Sequence, residues 1–139
     1  MINIKEQESL FVRIGELLKK PIIAYTIGGT AMMLRGLKST TLDIDLVFNS
    51  ETSRNKFIEV VSSLGFKESD EFKIRDLRKN TPKILKSEIV RFDLFVNKVI
   101  DTIFSEGMKA RAAQTNEFGK NFRYQISDFR IQMKKLEKH

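Results

Sequence analysis

The segment Leu42-Asp43-Ile44-Asp45-Leu46-Val47-Phe48 constrains this chain more than any other. Its first five residues alternate apolar and acidic with period two, the pattern of a strand that buries one face. Leu42, Ile44 and Leu46 then face a core, and Asp43 and Asp45 project together from the other side with Cα atoms about 7 Å apart. Carboxylates this close repel each other, so either a cation lies between them or lysines of a solvated surface neutralise each separately. Mg2+ suits the first arrangement because it is hard, prefers oxygen and keeps coordination positions open for phosphate oxygens.

Upstream, Ile22 to Ile27 is an apolar run of strand length that leads straight into Gly28-Gly29 and then into Thr30-Ala31-Met32-Met33-Leu34, which reads as a helix ended by Gly36. A strand that passes through two glycines into a helix presents bare backbone N–H groups at a positive helix end, where a phosphate can dock. Thr30 adds a hydroxyl donor. Glycine serves equally well at such a turn for its backbone freedom alone. Thirteen residues separate Gly29 from Asp43, enough for a short helix and a loop that returns the acidic strand alongside the first. Lys38, Ser39 and Thr41 lie on that loop, either in contact with phosphate or as solvated loop residues.

The rest of the chain alternates between the two periods. Glu6 to Lys19 sets Leu10, Phe11, Ile14, Leu17 and Leu18 on one helical face, with Lys19-Lys20 at the end that favours cations and Pro21 closing it. Ser50 or Thr52 caps a further helix with Phe57, Ile58, Val61 and Leu64 as its stripe, and Gly65 stops it. Glu71 to Leu77 reads as a strand, with Arg78 to Pro82 as the turn of a hairpin whose other arm is Glu88 to Val96. In that arm Val90, Phe92, Leu94 and Val96 face one way and Arg91, Asp93 and Phe95 the other. A short helix is expected near Val99 to Phe104, an ambiguous stretch at Met108 to Glu117, a strand at Phe122 to Ile126 and a final helix from Ser127 or Asp128. With no linker or repeat, the expectation is one α+β domain over residues 1–139, a small mixed central sheet flanked by helices.

Composition narrows the chemistry by exclusion. There is no cysteine, and the single histidine is His139, so thiolate chemistry, histidine acid–base catalysis and histidine-rich metal sites are absent. Carboxylates, hydroxyls, lysines or a bound metal remain. The formal net charge of +7 favours an anionic partner such as a nucleotide or nucleic acid, although a lysine-rich solvated surface gives the same total. No apolar run is of bilayer-spanning length and the first residues do not resemble a secretory signal, so the expected setting is cytoplasmic, without a membrane partner.

The combination Ile27-Gly28-Gly29-Thr30-Ala31, Thr41-Leu42-Asp43-Ile44-Asp45-Leu46-Val47 and Arg91-Phe92-Asp93-Leu94-Phe95-Val96 resembles the nucleotidyltransferases of the DNA polymerase beta superfamily. It is most similar to the minimal nucleotidyltransferases of bacteria and archaea, including toxin-like members of abortive-infection toxin–antitoxin pairs. Tyr124 to Lys134 resembles the strand and helix near the end of those proteins. The resemblance implies that Gly28, Gly29 and Thr30, with Lys38 and Thr41, grip a nucleoside triphosphate. It implies two Mg2+ ions, or Mn2+ in their place, held by Asp43 and Asp45, with Asp93 as a third ligand that helps activate the attacking hydroxyl. The acceptor is a hydroxyl on RNA such as tRNA, on a protein or on a small molecule, with the basic balance leaning towards RNA; the basic carboxyl third, from Lys109 to Lys138, is either an acceptor surface or, as we prefer, a solvated helix face. Relatives often continue into a helix bearing Arg and Asp residues, which implies that a partner protein or further domain completes the substrate pocket.

Two other classes accommodate the same residues. One is a nucleotide- or RNA-binding module without turnover, and the other is a structural or antitoxin-like partner that docks through the Met32-Met33-Leu34 helix or the terminal helix. Either would leave the carboxylates without a catalytic task.

Overall fold

Period-two segments dominate the described part of the protein, and the chain assembles them into one mixed sheet. The computed structural model describes residues 4–27, 42–69, 82–99, 102–110, 114–118 and 121–126. Within these, helix α1 (Ile4–Leu17) precedes strand β1 (Ile22–Thr26). Then come β2 (Leu42–Phe48), α2 (Glu51–Ser63), β3 (Lys67–Ser69), β4 (Lys83–Lys86) and β5 (Val90–Val96). The short β6 (Lys98–Val99) and β7 (Thr102–Ile103) lead to α3 (Glu106–Ala110), β8 (Gln114–Phe118) and β9 (Phe122–Ile126). The strand order is β3-β4-β5-β2-β1-β9-β8, with β6 pairing β5 and β7 beside the main path. The pairs β2/β5 and β1/β9 are parallel and the others antiparallel. The class is therefore α+β with a mixed sheet and helices.

One face of the sheet carries the larger core. Phe11, Ile14 and Leu18 from the α1 segment and Phe57, Val60 and Val61 from α2 pack on Ile44, Leu46, Phe48, Val90, Phe92, Leu94 and Phe122. Phe57 sits at its centre, with ring centroids 5.3 Å from Phe48, 5.1 Å from Phe92 and 5.9 Å from Phe122, so one helical side chain ties together β2, β5 and β9. The carbonyl of Leu18, just past α1, accepts from Asn121 Nδ2 at 2.7 Å, anchoring the helix end beside β9. Lys19 and Lys20 follow that end and lie outside the last turn, which carries no basic residue.

Ser50 caps α2 by accepting from the Ser53 N–H at 3.1 Å, and Gly65 turns the chain out of it at φ +98°. Arg54 is buried on α2 and donates through Nη1 to the Leu94 carbonyl at 3.2 Å, pinning the helix to β5. Burial holds its guanidinium below the usual arginine pKa, partly offset by Glu51 and Glu68.

Two expectations need correction. The hairpin partner of β5 is β4, joined through a three-residue turn in which the Ser87 N–H donates to the Val90 carbonyl at 2.8 Å and the Val90 N–H to Ser87 Oγ at 3.0 Å. An Arg78 to Pro82 turn cannot serve that hairpin, because Lys83–Lys86 lies between it and β5. The Lys-Ile-Leu-Lys of β4 is too short to show a period of its own. The segment near Val99 to Phe104 is not a helix but the β6–β7 pair. Asn97, at φ 56°, takes the left-handed turn that asparagine tolerates, and reverses the chain. Its N–H donates to Phe48 O at 3.0 Å and its own carbonyl accepts from Phe104 N at 2.7 Å, which closes the excursion. The expected helix at Thr30 to Leu34, the strand at Glu71 to Leu77 and the helix from Ser127 lie outside the described residues.

Candidate functional site

The acidic face is the one turned away from the two long helices. Alternation along β2 places Ile44, Leu46 and Phe48 in the helix-covered core and leaves Asp43, Asp45 and Val47 on the reverse. The same alternation along β5 leaves Arg91, Asp93 and Phe95 there. Because β2 and β5 run parallel, Asp43 pairs with Arg91, Asp45 with Asp93 and Val47 with Phe95 in register. Residues in register on neighbouring strands share a face and stand about 5 Å apart.

This face changes character along its length. At the far end Tyr25, Ile27, Val47, Phe95, Val99 and Phe104 form a second buried cluster, with Met108 of α3 packed against it. Asp93 is 17% exposed and Arg91 23%, both in their side chains, and Asp43 is exposed. The acids thus sit at the margin between a covered apolar end and an open polar one. On its other side Asp93 has buried Ile84 of β4 as register partner, and Arg91 has Lys86. Two rows cross the sheet: Ile84, Asp93, Asp45 in one and Lys86, Arg91, Asp43 in the next.

Electrostatics at the first row are strained in a specific sense. Burial pushes the Asp45 carboxyl up to about 7, and the negative charges of Asp93 and Asp43 push in the same direction, against a smaller opposing effect of Arg91. Burial and like charge thus outweigh the nearby positive charge at this carboxylate. Arg91 supplies that charge while bound to Asp93: Nε donates to Asp93 Oδ1 at 2.7 Å and Nη2 to Oδ2 at 3.2 Å, a bidentate fork. Oxygen-only donors, crowded negative charge and partial solvent access fit a hard divalent cation better than a soft one. As the side chains stand, no three acidic or histidine groups among the described residues are gathered to hold an ion. Asp93 is turned to Arg91.

The chain reaches this site from a second direction. The N–H of Ile27, the residue before Gly28, donates to the Asp45 carbonyl at 3.0 Å, extending the antiparallel β1/β2 register by one residue. The glycine pair therefore begins one residue beyond a direct contact with the acidic strand. Gly28, Gly29, Thr30, Lys38 and Thr41 themselves lie outside the described residues.

Strand alternation alone sets Arg91 on the same face as Asp93 and assigns it no role. The signal available was its position two residues before the acid on one strand, which brings the two side chains to one side. Arg54, behind β5, carried no such signal, since a helix arginine reads as a surface residue until the sheet packed against it is known. No family model, curated protein or solved structure matches this chain.

Proposed function

We propose that this chain is a metal-dependent nucleotidyltransferase with the fold of the DNA polymerase beta superfamily, which moves a nucleoside monophosphate from a nucleoside triphosphate to a hydroxyl acceptor. The observation that carries the proposal is the register pairing of Asp45 with Asp93 on parallel strands, with Asp43 on the same face. The strand leading to Gly28-Gly29 is hydrogen-bonded to Asp45. Neighbouring carboxylates that can share divalent ions suit in-line attack at an α-phosphorus, which needs positioning and charge neutralisation. The acceptor oxygen forms a bond to phosphorus, its proton passes to a base or to solvent, and pyrophosphate leaves with the electron pair of the broken bond.

Asp43, Asp45 and Asp93 would hold the divalent ions, which supply charge neutralisation at the departing pyrophosphate and a lowered pKa at the attacking hydroxyl. The chain's own contribution is positional. The parallel ladder sets Asp45 against Asp93, and the apolar cluster around Phe95 and Val47 closes one end of the face against water. RNA is the acceptor class favoured by the basic balance of the chain, with a protein hydroxyl as the alternative.

One observation favours a second reading, a nucleotide-binding module without turnover: Asp93 is engaged by Arg91. Incubation with Mg2+, each nucleoside triphosphate in turn, and RNA or protein acceptors separates the two. Pyrophosphate release that vanishes in Asp43→Asn and Asp45→Asn supports the transferase. Nucleotide binding with no release for any triphosphate or acceptor supports the module.

A further inference from the structure

The Arg91–Asp93 fork joins two residues of one strand, so it ties no two elements of the fold together. What it does set is the direction of the Asp93 carboxylate and the charge beside it. Both side chains are largely but incompletely buried, at 23% and 17% exposure, so the pair is shielded from water yet within reach of solutes. Across the strands, Arg91 stands between Asp43 and Lys86 in register, and Asp93 between Asp45 and Ile84. A dication that bridges Asp45 and Asp93 would meet the guanidinium at the same carboxylate oxygens, and two cations at that distance repel. One must give way.

We propose that Arg91 is an exchangeable counter-ion of the acidic face. Its guanidinium holds Asp93 while no divalent cation is bound, yields that carboxylate when one binds, and then takes a phosphate of the metal-bound triphosphate. This rests on the reading of Asp45 and Asp93 as metal ligands. A planar fork that fits a carboxylate fits a phosphate equally, and Lys86 in the adjacent register position adds a second positive charge on that side. Metal and triphosphate then bind synergistically, because each removes an obstacle to the other.

Two binding measurements test this without turnover. Mn2+ affinity is read from the electron paramagnetic resonance of free Mn2+, and triphosphate affinity from a fluorescent ribonucleoside triphosphate whose α–β bond cannot be cleaved, with and without Mg2+. For Arg91→Gln the expected result is Mn2+ binding at least about fivefold tighter than in the parent protein, with loss of at least about tenfold in metal-dependent triphosphate affinity, both within the usual span of coupling between sites. Arg91→Gln with unchanged or weaker Mn2+ binding and intact triphosphate affinity overturns the exchange. If that variant fails to unfold cooperatively, Arg91→Lys, which keeps the charge but loses the fork, is expected to bind Mn2+ about twofold tighter or more, and unchanged affinity there overturns it. Equal Mn2+ binding by the parent and Asp45→Asn would instead overturn the metal reading, and the exchange with it.

Discussion

Asp45 and Asp93, far apart along the chain, are direct register partners on parallel strands, and the fold sets two carboxylates side by side at the edge of an apolar cluster. The cost falls on Asp45, whose carboxyl is pushed up to about 7 by burial first and by Asp93 and Asp43 next.

That shift makes metal-free stability depend on pH. With a folded-state pKa above the unfolded one, the native protein binds the extra proton between about pH 4 and pH 7. Stability is therefore expected to fall as pH rises through that window and to level off above it. Asp45→Asn removes this slope, so the variant should match the parent near pH 4 and exceed it by at least about 1 kcal/mol at pH 8, since one pKa unit corresponds to about 1.4 kcal/mol. Urea unfolding in the presence of a chelator, at pH 4, 6 and 8, measures the difference.

Under the proposed function, a divalent cation should relieve the same repulsion. At pH 8, Mg2+ or Mn2+ at about a hundredfold excess over its dissociation constant is expected to add about 2.7 kcal/mol of stability. Chelation reverses the gain, and Asp45→Asn should show little of it. Thermal unfolding with and without metal gives the result, and an equal rise in the variant would count against binding at this acid pair.

Phe57 touches aromatic rings from three strands, and its side chain is fully buried. Truncation to alanine leaves a cavity beneath β2 and β5 and should cost about 3–5 kcal/mol. Denaturant midpoints for Phe57→Ala and Phe57→Leu provide the check, with the leucine variant losing clearly less.

Arg54 is expected to matter through one hydrogen bond and its stem. Removing it leaves the buried Leu94 carbonyl without this donor, so Arg54→Ala should destabilise by about 2–3 kcal/mol. Arg54→Met keeps most of the packing and also ends the burial of Nε, which has no partner among the described residues. Its loss should be smaller than that of the alanine variant, as measured by equilibrium unfolding. Equal losses for the two variants would show that the guanidinium and its hydrogen bond, and not packing, are the main contribution.

Much of the local structure was legible because one period dominated each segment. Leu42–Phe48 forms a strand over the residues its alternation predicts, Phe122–Ile126 likewise, and Ser50 and Gly65 bound α2. Four-residue β4 and two-residue β6 and β7 were missed because such pieces show no period, and their strand state comes from pairing with neighbours. The turn at Asn97 is held by hydrogen bonds to Asn49 and Phe48 on β2 and its exit, so no local pattern announces it.

At the candidate site, the shared side of Asp43 and Asp45 on one strand and of Arg91 and Asp93 on another is readable from the residues alone, because side-chain direction alternates along any strand. It takes the assembled fold to make those two strands parallel neighbours with Asp45 against Asp93, to cover Val47 and Phe95 on the same faces, and to engage Asp93 with Arg91. Alternation is a property of the local backbone. Strand order, register and cover depend on where distant segments bury their apolar faces, and α2 with Phe57 on one side and the β6–β7 excursion on the other make that choice.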